Sequence, residues 1–252
     1  MSRSRYSGNE NQGESDGGLY GRLRSAFVGL VYADHNRSVA VRQAMAEALA
    51  EMPANGFGLN VGAGSTRIDS RVRNLDIVPG PNIDYVGPAE AIPLPDASVD
   101  LVITQETLEH VADPFKAMLE IHRVLKVGGK LYLQVPFIIG YHPGPTDYWR
   151  FTREGIIRLV EISGLECQRV GVAVGSSTGF YRIAVEYFAI VLSLPLPPLY
   201  MPAKAFFALV FYPIKLLDVL TSYSKQNDRL AGGYFVVARK TIEMRRHVAS
   251  AT

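Results

Sequence analysis

The chain has 252 residues, of which 48% are hydrophobic and 20% charged. That composition excludes wholesale disorder, and the length allows one large domain or two small ones. A net charge of +2 gives no whole-protein case for nucleic-acid binding, and the single cysteine, Cys167, excludes both a disulfide framework and a cysteine-built zinc site.

Residues 1–18 are rich in Ser, Gly, Asn and Glu and read as a disordered tail. Their early positive charge is not followed by an apolar run, so they do not read as a secretory signal. Ser25 to Ala33 is apolar but far shorter than the roughly 20 residues that span a bilayer. It reads as a packed helix or strand. His35 to Met52 carries apolar residues at helical spacing and ends at Pro53, Asn55 and Gly56. A short apolar run closing in glycines, Gly58 to Ser65, reads as a buried strand entering a tight turn. Further strands are expected at Val72 to Ile77, Asp84 to Val86 and Val99 to Thr104. Pro114 to Leu125 reads as a helix with Phe115, Met118, Leu119 and Ile121 to one side. Val127-Gly128-Gly129 reads as a turn before a strand at Lys130 to Val135. An aromatic loop follows, then a helix over Arg153 to Ser163 capped by Thr152, and a strand over Cys167 to Val174. Gly233 to Arg239 supplies the last strand, and 241–252 is a C-terminal tail. Apolar strands alternating with helices argue an α/β domain over 19–240, its mostly parallel sheet covered by helices on both faces.

A hydrophobic insertion at about 180–222 interrupts the sheet before its last strand. Pro195, Pro197, Pro198 and Pro202 exclude one continuous spanning helix there. Two helices, Phe180 to Leu194 and Ala203 to Leu220, are expected instead. At about 100° per residue, Arg182, Glu186 and Ser193 share one narrow arc. Lys204, Lys215 and Asp218 share another, and nearly everything else is apolar. Such a hairpin suits a cover over the sheet, a homodimer surface, or a membrane interface receiving a lipid-linked acceptor. Lys204, Lys215 and Lys225 would then meet anionic headgroups.

Gly62 and Gly64 stand at the carboxyl end of the first strand, where a ligand can approach the backbone. Asp76 ends the second strand, placed to accept hydrogen bonds from ribose hydroxyls. A nicotinamide dinucleotide fits poorly, because Arg67 occupies the third-glycine position and the gap to Asp76 leaves little helix to hold a pyrophosphate. A nucleoside without phosphates suits the pattern better.

The stretches LNVGAGS, AEAIPLPDASVDLVIT and ETLEHVADPFKAMLEIHRVLKVGGKLYLQVP resemble class I S-adenosylmethionine-dependent methyltransferases of the small-molecule type. The resemblance runs from about Gly58 to Phe137, with a weaker echo to Val174. It implies a Rossmann-like sheet of seven strands with the last antiparallel. It also implies S-adenosyl-L-methionine held by Asn60, Val61, Gly62, Ala63, Gly64, Asp76, Ile77, Glu90, Ala91, Gln105 and Glu106. Asn60 replaces the usual acid near the methionine amine, Thr66 a common glycine, and Pro88 a common aspartate near the adenine.

Methyl transfer depends chiefly on positioning, so no triad is expected, though an oxygen acceptor often needs a base. His110, His142 and Asp147 are the candidate proton acceptors, and the reading includes no metal. His110 reads first as a helix-start histidine with a structural hydrogen bond and only second as a base. The stretch His142 to Thr152 resembles one in bacterial methyltransferases linked with surface-sugar biosynthesis, which makes Tyr148, Trp149 and Arg150 candidate substrate contacts. It reads also as a structural lid in which Arg150 pairs with Asp147. The expected acceptor is a small molecule, a glycan or a lipid-linked compound. The expected location is the cytoplasm, extending to the inner face of the membrane. The competing reading is a catalytically degenerate methyltransferase fold serving as a membrane-associated scaffold.

Overall fold

The computed structural model describes residues 38–64 and 66–242. The tail at 1–18, the apolar stretch Ser25 to Ala33, the start of the helix expected from His35, and most of the C-terminal tail lie outside the described residues. The described chain opens with helix α1 (Val39–Glu51) and strand β1 (Gly58–Val61). Strands β2 (Val72–Asp76), β3 (Tyr85–Val86) and β4 (Val99–Gln105) follow. Helix α2 (Pro114–Val124) leads directly into β5 (Leu125–Pro136), then α3 (Arg153–Ile162) and β6 (Leu165–Val174). Helices α4 (Ser176–Ser193), α5 (Tyr200–Val210), α6 (Tyr212–Leu216) and α7 (Asp218–Thr221) form the insertion, and β7 (Gly233–Lys240) closes the sheet.

The seven strands lie in the order β3-β2-β1-β4-β5-β7-β6. β7 runs antiparallel to both β5 and β6, and the remaining pairs are parallel. Alternate side chains on each strand feed two cores. Leu59, Val61, Val102, Leu131, Leu133 and Val236 pack with α2 and α3 on one face. Leu101, Ile103, Tyr132 and Phe235 pack with Val41, Ala44 and Ala48 of α1 on the other. Each fully buried Leu, Ile or Val on these faces stabilises the fold by roughly 1.5–3 kcal/mol.

Local chemistry fixes the helix bounds. Asp113 caps α2 by accepting from the Lys116 amide at 3.0 Å, with Pro114 in its first turn. The buried stripe of α2 is Ala117, Met118, Ile121 and Val124, whereas Phe115 and Leu119 are exposed. The expected stripe was therefore rotated partly onto the solvent side. Gly128, at φ +83°, and Gly129 lie where the β4–β5 register shifts, within the span Leu125–Pro136 of β5.

The insertion departs further from expectation. Pro202 sits in the first turn of α5, where a missing amide costs nothing, so that helix begins before Ala203. The second arm is broken near Phe211 and again at Leu217 rather than continuing to Leu220. Pro213 has no N–H for the Leu209 carbonyl, which accounts for the first break.

The two polar arcs face each other. Glu186 pairs with Lys204 and also accepts from the Tyr200 hydroxyl. Lys215 is buried, 5.6 Å from the ring centres of both Tyr181 and Tyr212. Asp218 accepts the Ser177 and Thr178 amides at 2.8 and 3.2 Å, capping α4 from outside that helix. Arg182 and Ser193 are buried as well. The apolar faces turn outward: Tyr187, Ile190, Leu194, Met201, Phe206, Leu209, Val219 and Leu220 are all exposed. Among the described residues, no helix is long and apolar enough to cross a membrane.

Candidate functional site

The strand order reverses between β1 and β4, and the cleft opens at the carboxyl ends of these strands. Gly62 leaves β1 at φ +69°, and a Cβ there would stand 2.2 Å from Thr107 Cγ2. Only glycine allows that approach. The Thr107 hydroxyl lies 3.2 Å from the Val61 carbonyl and 3.0 Å from the Gln105 carbonyl, tying the ends of β1 and β4 together. Gly64, at φ +52°, would meet nothing within 4 Å, so its backbone is open to a ligand. Its amide donates to Asp76 Oδ2 at 2.8 Å, and the Val78 amide donates to Oδ1 at 3.0 Å. These bonds aim the carboxylate while leaving lone pairs free to accept from hydroxyl groups.

Residues 66–71 form no helix. Arg67 turns away and donates to Asp84 at 2.9 Å and to the carbonyls of Val72 and Asn82. The glycines therefore have no helix N-terminus behind them, and the site lacks the device that holds a pyrophosphate.

The cleft holds about 480 Å³. Val61, Gly62, Gly64, Asp76, Ile77 and Glu90 line one side, and Thr107, His110, Thr146 and Tyr148 the other. A recess of about 210 Å³ adjoins it, lined by Asn60, Gly62, Ala63, Gln105 and Glu106. The structure thus brings ten of the eleven expected cofactor residues to one cleft and its recess. Ala91 is the exception, since its amide donates to the Pro88 carbonyl in a supporting turn. Glu106 holds φ +50°, a conformation costly for a non-glycine residue that often marks a functional position.

The aromatic loop is tied down by its own side chains. Arg150 donates to both Asp147 oxygens, at 2.5 and 2.6 Å, and to the Gly140 carbonyl at 3.0 Å. The His142 amide donates to Asp147 at 2.9 Å. Burial alone would raise the Asp147 carboxyl, but Arg150 and the His142 amide outweigh it and hold it down to about 2. A carboxylate so stabilised is a poor proton acceptor, which corrects the expectation that Asp147 acts as a base. Trp149 donates its indole N–H to the Val111 carbonyl at 2.9 Å. Trp149 and Arg150 are therefore fasteners of the loop and line neither cavity, so of the expected substrate contacts only Tyr148 reaches the cleft.

Behind Tyr148 lies a cluster that sequence reading had not assembled. Glu109 is fully buried, and neither of its oxygens accepts a hydrogen bond. His110 Nε2 and His142 Nε2 each stand 3.6 Å from Glu109 Oε1. Burial pushes the Glu109 carboxyl up. Burial also opposes the charged form of His142, but Glu109, the Gly140 carbonyl and Asp147 outweigh it and raise that imidazole. Glu109 and Thr107 were both missed in the sequence, where they read as ordinary members of a strand-to-helix connection.

Comparison with known proteins bears on this geometry. Residues 40–133 match the family model described as a methyltransferase domain. A ubiquinone/menaquinone biosynthesis C-methyltransferase of Xanthomonas oryzae pv. oryzae is 48% identical over 61 residues, covering 24% of this chain and 23% of that protein. An uncharacterized methyltransferase of Mycobacterium bovis is 37% identical over 92 residues, covering 30% of this chain and 37% of that protein. The chain thus spans between about a quarter and two fifths of these curated relatives. Among solved structures, a phosphoethanolamine N-methyltransferase 2 of Haemonchus contortus, in complex with phosphomonomethylethanolamine and S-adenosylhomocysteine, aligns with a TM-score of 0.50 at 15% identity. The alignment covers 87% of this chain and 58% of that one, and it bears on the fold alone.

Proposed function

We propose that this chain, whose residues 40–133 match the methyltransferase-domain model, transfers a methyl group from S-adenosyl-L-methionine to an apolar or lipid-linked acceptor at a membrane surface. The observation that carries the cofactor reading is the carboxylate of Asp76. It is fixed by the Gly64 and Val78 amides at the lip of a cleft that offers no pyrophosphate site. S-adenosyl-L-methionine is a nucleoside without phosphates, and its ribose matches that acceptor. Glu90 and Ile77 flank the adenosine end of the cleft, and Asn60, Gln105 and Glu106 flank the methionine end. Methyl transfer is an in-line displacement, so the residues of the cleft act mainly by holding sulfonium and acceptor at near-attack distance.

The acceptor reading rests on the insertion. Over 183–223 every charged side chain turns inward or is paired, and the outward surface is hydrocarbon and aromatic. Such a patch suits the interfacial region of a bilayer. The tip suits it too. Pro195, Pro197 and Pro198 have no amide hydrogen, and the amides of Leu194, Leu196 and Leu199 bond within the turn. Some relatives carry the name of quinone C-methyltransferases, which agrees with an apolar acceptor.

Incubation with S-adenosyl-L-methionine labelled in its methyl group, with membrane extract and water-soluble extract supplied separately, tests the reading. The label is expected in material extracted into organic solvent. Label confined to water-soluble glycans would overturn the acceptor class. No transfer by protein that binds the cofactor would favour the scaffold alternative.

A further inference from the structure

The cluster behind Tyr148 has the chemistry of a metal site. Glu109, His110 and His142 each offer one ligand atom, and these atoms lie within 4.8 Å of one another. The separations of 3.6 Å from Glu109 Oε1 to each Nε2 are too long for good hydrogen bonds. They are close to the roughly 3.4 Å between neighbouring ligand atoms around a tetrahedral ion at about 2.1 Å.

The outer shell supports this reading. His110 Nδ1 lies 2.5 Å from the Thr146 carbonyl, which can only accept, so that nitrogen carries the hydrogen. His142 Nδ1 lies 3.1 Å from the Gly140 carbonyl. Arg150, 3.2 Å from the same nitrogen, is already committed to Asp147 and Gly140. With both Nδ1 atoms donating, both Nε2 lone pairs point at a buried carboxylate. A cation placed between them would satisfy all three acceptors at once.

We propose that Glu109, His110 and His142 bind one divalent first-row transition ion of the class of Mn²⁺, Fe²⁺, Co²⁺ or Zn²⁺. Two imidazoles and one carboxylate are the donor set such ions favour over Mg²⁺. Three protein ligands leave coordination positions open. His110 also lines the cleft, so those positions adjoin the acceptor's space. The functional consequence rests on the methyltransferase reading above. An acceptor hydroxyl bound to the ion releases its proton to water. Its oxygen then forms the new bond to the methyl carbon as the carbon–sulfur bond breaks, the electron pair going to sulfur. The ion would supply the activation that Asp147, clamped by Arg150, does not.

The test uses tag-free full-length protein, stripped with chelator and dialysed in turn against Zn²⁺, Mn²⁺ and Mg²⁺, with elemental analysis of bound metal. About one equivalent of Zn²⁺ or Mn²⁺ is expected, with little Mg²⁺. Glu109→Gln and His142→Ala should each reduce occupancy at least tenfold. His142 lies on a half-buried loop, so His142→Ala remains informative if Glu109→Gln fails to fold. Calorimetric titration of S-adenosylhomocysteine runs beside each sample. Cofactor binding without metal binding would overturn the inference and leave the functional reading standing. Metal binding without cofactor binding would do the reverse. A full equivalent retained in both variants would place the ion elsewhere and overturn the assignment.

Discussion

At the scale of single residues, Gly62 shapes the cleft and Asp147 ties down the loop beside it. Gly62 is the point where β1 meets Thr107, and any side chain there would collide at 2.2 Å. Gly62→Ala also forces an L-residue to φ +69°, at a cost on the order of 1–2 kcal/mol before the collision is counted. The variant is expected to melt at a lower temperature and to bind S-adenosylmethionine at least tenfold more weakly, read by thermal denaturation and calorimetry. Asp147 works differently. Its oxygens hold Arg150 and the His142 amide, so Asp147→Asn should cost on the order of 1.5–3 kcal/mol of stability. Denaturant unfolding measures that loss. Undiminished stability combined with abolished turnover would instead restore the aspartate as a base.

At the scale of elements, the corner between β2 and β3 is held by one carboxylate. Asp84 accepts from the Asn74 amide at 2.8 Å and from Arg67 at 2.9 Å. Burial works against its charge, but those donors and the nearby Arg73 hold its carboxyl below the ordinary value. The folded pKa is therefore the lower one. Its contribution is complete above the unfolded carboxylate value near 4 and is lost as pH falls through the folded value. Asp84→Asn should flatten the acid limb of the stability profile, measured by melting temperature between about pH 2 and 6. An acid limb identical to wild type would remove Asp84 from the account.

The elements were legible in the sequence wherever the signal was local. The glycines after β1, the Thr152 cap and the apolar runs of β4 and β5 each fix a boundary through their own chemistry. Asp76 was legible because strand and turn alone place it at the cleft. What was not legible depended on distant partners. Helical spacing put the polar residues of the insertion on narrow arcs but could not say that those arcs face each other. The Trp149 indole reads as a ligand platform until Val111, 38 residues earlier in the chain, accepts its N–H. Glu109 reads as an ordinary member of a strand-to-helix connection until the fold buries it beside His142.

At the scale of the whole molecule, a sheet domain carries a hairpin whose hydrocarbon faces outward. If that face meets a bilayer, the protein should float with vesicles containing anionic lipid. Phe206→Glu together with Leu209→Glu, both on exposed positions of α5, should abolish flotation while leaving the melting temperature within a few degrees. Sedimentation as a concentration-dependent dimer that the same pair disrupts, without flotation, would assign the face to a second copy of the chain instead.

The central claim is that the cleft between Gly62 and Asp76 holds S-adenosyl-L-methionine. Calorimetric titration of the cofactor and of S-adenosylhomocysteine into wild type and Asp76→Ala tests it most directly. Micromolar binding to wild type is expected, with a loss of at least tenfold in the variant, equivalent to about 1.4 kcal/mol or more. Absence of heat and of any thermal shift on folded wild-type protein, or equal affinity in the variant, would contradict it.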